Sequence, residues 1–226
     1  MDAIRVENVS KSFGNTTVLR DVNISWEPGK IHGLIGQNGS GKTVLIKCIC
    51  GLMRYDSGKI LVGGKQIGKE IEMPPDLGII IETPGFLQRF SGYKNLRMLA
   101  SIRNKISNEH IHEVMRIVGL DWNSSKPVSH YSLGMRQRLG IAQAIMEDPQ
   151  LLIFDEPFNG LDKNGAAEIR QLFRRLRDEG RTLVVISHNP LDIAQLCDTV
   201  SEIDAGMVRC VTENNLMMRA EDTTVS

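Results

Sequence analysis

The stretch GQNGSGKT at residues 36–43 follows the apolar run Ile31–Ile35 and opens an apolar-periodic segment that stops at Gly51. Its glycines allow the backbone to curl, so that successive N–H groups converge on phosphate oxygens. A helix that begins here adds the positive end of its dipole to the same place. The strand–loop–helix context therefore favours a phosphate-binding loop over an incidental glycine-rich turn.

The last two residues of this loop suit a nucleoside triphosphate with its metal ion. Lys42 is placed to reach the β- and γ-phosphates, and Thr43 offers a hydroxyl to Mg²⁺. A dinucleotide-binding G-x-G-x-x-G pattern fails, because Val44 stands where the third glycine would be. We expect the nucleotide to be bound by the loop residues Gly36, Gln37, Asn38, Gly39, Ser40, Gly41, Lys42 and Thr43.

Two acids follow a second apolar strand, at residues 151–154. Ligands bind at the carboxyl ends of strands in open α/β sheets. Asp155 is therefore expected to bind Mg²⁺ through water, and Glu156 to activate the water that attacks the γ-phosphate. His188 directly follows a further strand at residues 182–187 and can hydrogen-bond the γ-phosphate. Without the phosphate loop, the acid pair could equally be an ordinary strand-to-turn feature.

The hydrophobic periodicity changes twice along the chain. Strands dominate up to about residue 81, apart from the helix after the phosphate loop, and three helical segments follow without a convincing strand, at residues 93–104, 108–118 and 133–146. Strands then return, with an amphipathic helix at about 163–179. This alternation predicts a largely parallel α/β sheet. We expect one domain over residues 1–226, with a core at about 1–84 and 148–226 and an inserted helical subdomain at about 85–147.

Composition narrows the classes of partner. Lys+Arg and Asp+Glu both number 27 in 226 residues, so the net charge is zero. The chain as a whole therefore lacks the excess positive charge that is typical of nucleic-acid-binding proteins. No apolar run approaches the roughly 18 residues that a membrane span needs. The sequence does not begin with a secretory-signal pattern. We expect a soluble, intracellular chain that reaches a membrane only through a partner.

The order of these motifs resembles that of the ATP-binding subunits of ABC transporters, over nearly the whole chain. Residues 36–43 resemble the family's Walker A motif and residues 153–156 its Walker B motif. Residues 159–162 look like the D-loop, and His188 looks like the switch histidine. Phe13 matches the aromatic residue that stacks on adenine in the family.

YSLGMRQR at residues 131–138 resembles the ABC signature, usually written LSGGQ. It lies where a predicted helix begins, with Ser132 as the N-cap. In the family, the signature serine and glycine of one subunit contact the γ-phosphate held by the other subunit. The resemblance implies this role for Ser132 and Gly134, so each chain carries two half-sites. Leu133 and Met135 depart from the usual glycine and glutamine.

Glu82 is a second departure from the family pattern. After the strand at residues 77–81 the family usually has a glutamine that joins the Mg²⁺ site to the membrane partner. A carboxylate near the γ-phosphate needs a compensating Mg²⁺ or proton, so Glu82 is assigned to the metal site with Thr43 and Asp155. A simple loop acid is the alternative. Together with YSLGMRQRLG, Glu82 resembles the glutamate-loop exporters of the bacitracin and lantibiotic-immunity kind.

The resemblance implies a P-loop NTPase (RecA-like) core with an N-terminal antiparallel β-subdomain and an inserted α-helical subdomain. It implies an ATPase that uses ATP and Mg²⁺ to power export, and the narrower resemblance to the glutamate-loop exporters implies a peptide antibiotic as the exported substrate. The implied partners are a polytopic permease and a second ATP-binding subunit, either another copy or a paralogue, with no nucleic acid. The implied location is cytoplasmic, on the inner face of the cell membrane.

Two other functions stay open at this point. The first is a soluble ABC-type ATPase acting on nucleic acid or ribosomes, although 226 residues hold neither a long coiled-coil insertion nor two fused cassettes. The second is a regulatory module that senses ATP without hydrolysing it. Glu156 and His188 weigh against the second.

Overall fold

The computed structural model describes residues 2–82 and 85–211, and the strands of these residues form two sheets. The first sheet contains β1 (Ile4–Phe13), β2 (Thr16–Trp26), β4 (Ser57–Val62) and β5 (Lys65–Gln66). The second contains β3 (Ile31–Ile35), β6 (Leu77–Ile80), β7 (Leu151–Asp155), β8 (Thr182–Ile186), β9 (Thr199–Asp204) and β10 (Met207–Val211). Their orders are β2-β1-β4-β5 and β10-β9-β3-β8-β7-β6.

The helices are α1 (Lys42–Ile49), α2 (Gly92–Arg103), α3 (Asn108–Ile117), α4 (Leu133–Ile145), α5 (Lys163–Asp178) and α6 (Pro190–Leu196). Helices α2, α3 and α4, with a short 3₁₀ turn at Val128–His130, lie between β6 and β7 in the chain. The expected helical stretch is therefore present. The division into a core and a helical subdomain stays a prediction. The predicted boundary near residue 84 and residues 212–226, which were assigned to the core, lie outside the described residues.

The central strands β3, β8 and β7 of the larger sheet are buried on both faces. Strands β9, β3, β8, β7 and β6 run parallel, and β10 pairs antiparallel with β9. Along β7, Leu152 and Phe154 pack into a cluster with side chains of α2–α6, whereas Leu151 and Ile153 pack on the other side with α1 and the antiparallel sheet. Burial on both sides explains why these strands read as continuous apolar runs.

The sheet topology gathers the candidate residues at one edge. Strands β3, β8, β7 and β6 are parallel neighbours, so their carboxyl ends lie side by side. The phosphate loop follows β3, Glu82 follows β6, Glu156 follows β7, and His188 follows β8 within two residues. Ligands of open α/β sheets bind at this edge.

Besides the short 3₁₀ turn, the sequence patterns missed one helix and one strand. Helix α6 has only seven residues, and β10 is a partly exposed strand joined to β9 by Ala205 and Gly206, both at positive φ. Neither is long enough for its periodicity to be distinctive. The other predicted elements agree with the structure to within a few residues, and β3 has its predicted bounds.

Candidate nucleotide site

The loop at residues 36–41 is shaped by close neighbours. Gly36 and Gly41 have φ of 154° and 110°, and a Cβ at Gly36 would collide with the carbonyl oxygen of Ile203. The hydroxyl of Ser40 is buried and makes no hydrogen bond within the described part of the chain. Buried polar atoms normally have partners. A loop with an unpartnered hydroxyl therefore fits a ligand rich in oxygen atoms, such as a nucleoside triphosphate.

Lys42 projects its ammonium group into this loop. The Lys42 side chain donates from Nζ to the carbonyl oxygens of Gly36 at 2.6 Å and Gln37 at 2.8 Å. The residue is only 8% exposed. Burial lowers the pKa of Lys42, and the nearby carboxylates of Glu156 and Asp155 oppose that shift. The site thus holds a partly desolvated cation where phosphate is expected, and a desolvated cation interacts strongly with an anion.

Thr43 and Asp155 supply oxygen atoms beside the loop. Thr43 Oγ1 lies 3.5 Å from Asp155 Oδ2. Burial raises the pKa of Asp155, and the adjacent Glu156 carboxylate adds to that rise. Within residues 2–82 and 85–211 no cluster of three or more His, Cys, Asp or Glu side chains could hold a metal by itself. Mg²⁺ usually uses one or two carboxylates together with substrate phosphates. The donor set fits that mode of binding.

Glu156 is turned toward the end of β8. Its Oε1 accepts a hydrogen bond from the backbone N–H of His188 at 2.9 Å and lies 2.7 Å from His188 Nδ1. The hydroxyl of Ser187 donates to Oε2 at 3.3 Å. Glu156 has φ of 50°, a left-handed conformation that costs a non-glycine residue about 1–3 kcal/mol. This backbone turn aims the carboxylate at His188.

Glu82 lies at the same edge, with its charge turned toward α1. It also has positive φ, 60°, and its Oε1 is 2.7 Å from Nζ of Lys47, one turn beyond Thr43. The side chain is 65% exposed. Its charge still contributes, after burial and Glu156, to the raised pKa of Asp155. The carboxylate is thus near the expected metal position but paired with a lysine.

Ser132 and Gly134 of the signature line a cleft separate from the acids, whereas Leu133 lines the cleft that contains Asp155 and Glu156. Ser132 caps α4, as predicted, by accepting from the N–H of Met135 at 3.1 Å. A Cβ at Gly134 would lie 2.7 Å from the carbonyl oxygen of Gly160 in the D-loop. Among the described residues, the cleft beside Ser132 and Gly134 is lined by residues 119–120 after α3, by α4 and α5 and by the D-loop, not by residues 36–43. In one chain, therefore, the N-terminus of α4 does not complete the chain's own phosphate loop.

Comparisons with known proteins agree with this geometry. A family model described as "ABC transporter" matches residues 19–159. The chain belongs to the ABC transporter family. The bacitracin transport ATP-binding protein BcrA of Enterococcus faecalis is 42% identical over 205 residues, covering 90% of this chain and 67% of that protein. The lantibiotic transport ATP-binding protein SrtF of Streptococcus pyogenes is 35% identical over 205 residues, covering 91% and 88%.

The fold comparison gives the same result. The solved structure of an ATP-binding subunit of an ABC transporter has a TM-score of 0.82 at 25% identity, and the match covers 99% of this chain and 98% of that one. The predicted ABC-type P-loop fold is confirmed, as are the ATP-binding role and the activity of a transport ATPase. ABC ATP-binding subunits work with membrane permeases and as dimers. Within the described residues, no helix is long and apolar enough to cross a membrane.

Phe13, the expected adenine-stacking residue of this ABC protein, lies at the end of β1. Its ring is half-exposed, and the ammonium of Lys11 lies 5.3 Å from the ring centroid. Lys11 is itself held by Asp56 at 2.7 Å. A half-exposed aromatic ring on a strand end can accept a stacked base. The adenine contact itself stays a prediction.

Three further residues at the ABC site were missed by sequence reasoning. Ser187 binds the Glu156 carboxylate, Gln137 donates to the Glu156 carbonyl oxygen at 3.3 Å, and Lys47 pairs with Glu82. Gln137 lies within the signature stretch, one helical turn after Leu133, and Lys47 lies one turn after Thr43. Residues four positions apart on a helix share a face. This spacing was the signal in the sequence that could have identified Gln137 and Lys47.

Proposed function

We propose that this chain is the Mg²⁺-dependent ATPase of an exporter for a peptide antibiotic, acting as a dimer on the cytoplasmic face of the membrane beside its permease. One observation carries the proposed ATPase activity. The carboxylate of Glu156, the residue directly after Asp155, is in contact with His188. The names of the relatives BcrA and SrtF support the exported class, and the zero net charge supports a partner other than nucleic acid.

The phosphate chain is held by the loop and by the start of α1. Gly41 caps this helix and has no side chain that could bind its first N–H groups, so these N–H groups can bind phosphate oxygens. When nucleotide binds, the Lys42 ammonium would release the carbonyl oxygens of Gly36 and Gln37 and donate to the β- and γ-phosphates instead. The hydroxyl of Thr43 and the carboxylate of Asp155, with Glu82 nearby, would hold Mg²⁺. When bound, Mg²⁺ supplies positive charge that offsets the charge developing on the transferred phosphoryl group.

Glu156 is assigned as the general base. Its carboxylate lies at the carboxyl end of β7, beside the phosphate loop, and its Oε1 is fixed by two contacts with His188. A base fixed in this way can orient a water molecule and accept its proton as the oxygen attacks phosphorus. The His188 side chain is 60% exposed, and with Nδ1 held at Glu156 its Nε2 can donate to the γ-phosphate when nucleotide is present.

A second copy of this chain would complete each site. Ser132 and Gly134 lie at the N-terminus of α4, where helix N–H groups attract anions, yet among the described residues the cleft that they line contains no residue of the chain's own phosphate loop. Both half-sites are present in this one sequence. Two copies related by a two-fold axis would therefore make two complete sites.

Co-expression of the chain with its permease in a sensitive bacterium is expected to raise the inhibitory concentration of bacitracin or of a lantibiotic several-fold. ATP hydrolysis drives the export, so the variant Glu156→Gln co-expressed with the same permease should give no protection. The measurement is the minimal inhibitory concentration of each antibiotic, with an antibiotic that does not act on the cell envelope as control. If the wild-type pair protects against neither peptide, the proposed export class is wrong.

Glu82→Gln is expected to change the amount of substrate moved per ATP hydrolysed, while ATP affinity stays nearly the same. The amide keeps the size of the side chain but removes the charge that pairs with Lys47, and Glu82 lies where β6 leads toward α2. The measurement is the ratio of transport to hydrolysis in membrane vesicles. Lys47→Met is the matched variant, because it breaks the same ion pair from the other side. An unchanged ratio in both variants would show that Glu82 is a simple loop acid with no role in coupling hydrolysis to transport.

A further inference from the structure

Helix α5 presents a row of arginines to the segment that contains α6. Residues 170, 174 and 177 follow a helical spacing of four and three, which places them on one face. The row makes these contacts: Arg170 Nη1 to Asp192 Oδ1 at 2.7 Å, Arg174 Nη2 to the carbonyl oxygen of Gln195 at 2.6 Å, and Arg177 Nη1 to Asp198 Oδ1 at 2.9 Å. The row therefore binds the start of α6, its end and the residues after it.

The contact at the start of α6 is the most buried of the three. The side chains of Arg170 and Asp192 are each only 16% exposed. The Arg170 guanidinium also lies 5.5 Å from the ring centroid of Phe158, two residues beyond Glu156. Half-buried arginine–carboxylate pairs are far less screened by solvent than surface pairs. Arg170, on α5, thus contacts both the segment that follows Glu156 and helix α6.

Helix α6 depends on such external contacts. Seven residues are too few for a helix that is stable by itself. Its cap is Asn189, whose side chain accepts from the N–H of Leu191 at 3.0 Å. Its first-turn acid is Asp192, and Ile193 is fully buried beneath it. The position of the first turn is therefore determined by the hydrophobic contact below and the Arg170 ion pair at the side.

His188 is the residue just before the α6 cap, and packing does not hold its exposed ring. Its position follows from the backbone between Ser187 and α6 and from its two contacts with Glu156. We propose that Arg170 is a positioning residue for ATP hydrolysis: through Asp192 it fixes the start of α6 and so keeps His188 within hydrogen-bond reach of Glu156. This inference rests on the roles proposed above for Glu156 and His188.

The test compares Arg170→Met, Asp192→Asn and the double variant by steady-state hydrolysis. A small displacement of a catalytic group is enough to lower kcat by about tenfold or more. KM for ATP should stay within about twofold, because the nucleotide-binding loop is untouched. Since both changes break one ion pair, the double variant should be no slower than the slower single variant. Arg170→Lys, which keeps the charge, should recover part of the lost kcat.

Amide hydrogen exchange gives a readout that general destabilisation would not reproduce. Residues 188–196 should exchange faster in both single variants, while α1 exchanges as in the wild type. Arg175→Met is the control, because Arg175 is on the same helix and pairs with Glu179 in an exposed i,i+4 contact. It should change neither kcat nor exchange. If Arg170→Met does not fold, Asp192→Asn, which keeps the shape of the side chain, decides the question.

The inference fails if Asp192→Asn retains wild-type kcat, or if kcat falls without faster exchange in residues 188–196. Glu156→Gln in the same assay separates this failure from that of the proposed function. Normal hydrolysis by Glu156→Gln refutes the assigned base. Slow hydrolysis by Glu156→Gln with normal hydrolysis by Asp192→Asn refutes only the role of Arg170.

Discussion

Replacing Glu156 with glutamine is expected to slow ATP hydrolysis by about 10²–10⁴-fold and to leave ATP binding intact. The amide oxygen can still accept from the N–H of His188, so the local geometry is kept, but the amide cannot take a proton from the attacking water. The loop expected to hold the phosphate chain, residues 36–43, is not touched by the change. Single-turnover hydrolysis and equilibrium binding of a fluorescent ATP analogue measure the two effects separately.

Glu179→Gln is the matched control for this substitution. Glu179 is an exposed acid at the end of α5, where it is paired with Arg175 and Arg181. The same chemical change at that position should leave the rate of hydrolysis unaltered. If the Glu156 variant turns over at the wild-type rate, the base lies elsewhere, and the contact between Glu156 and His188 has only a structural role.

Mg-ATP is expected to convert the Glu156→Gln protein from monomer to dimer. The N-terminus of α4, with Ser132 and Gly134, offers a surface of N–H groups that can attract an anion, and among the described residues the cleft beside it contains none of the chain's own phosphate loop. A nucleotide held by one copy can occupy this surface on another copy. Wild-type protein would hydrolyse the shared ATP and separate, whereas the slow variant keeps the γ-phosphate in place.

Ser132→Asp provides a sharp control for the dimer. Aspartate caps helices about as well as serine does, so α4 should remain folded. Its carboxylate would nevertheless stand where the partner's γ-phosphate must bind, and like charges repel strongly at such distances. The double variant Ser132→Asp, Glu156→Gln should bind ATP through its intact loop and remain a monomer.

Much of the fold follows from short-range signals in the sequence. Strand β3 was predicted with its observed bounds, because Pro28 and Gly29 precede its apolar run and Gly36 ends it. The start of α4 was predicted from Ser132, whose side chain does cap the helix. The residues assigned to phosphate, metal and base also meet at one sheet edge, because parallel strands deliver their carboxyl ends together.

The parts that escaped prediction depend on contacts between distant residues. Glu156 and His188 are 32 positions apart, and Lys47 and Glu82 are 35 apart. Local propensity carries no information about such pairs. The left-handed backbone at Glu156 is also invisible in sequence, because glutamate rarely adopts it and the surrounding structure must impose it. Helix α6 was missed because seven residues form no distinctive period.

Sedimentation velocity of the Glu156→Gln protein tests most directly whether two copies complete each ATP site. Without nucleotide and with Mg-ADP, the protein should sediment as a monomer of 25.2 kDa. With Mg-ATP it should sediment at twice that mass, and the added Ser132→Asp change should return it to the monomer. A monomer at every concentration of Mg-ATP, in protein shown to bind the nucleotide, would contradict the account.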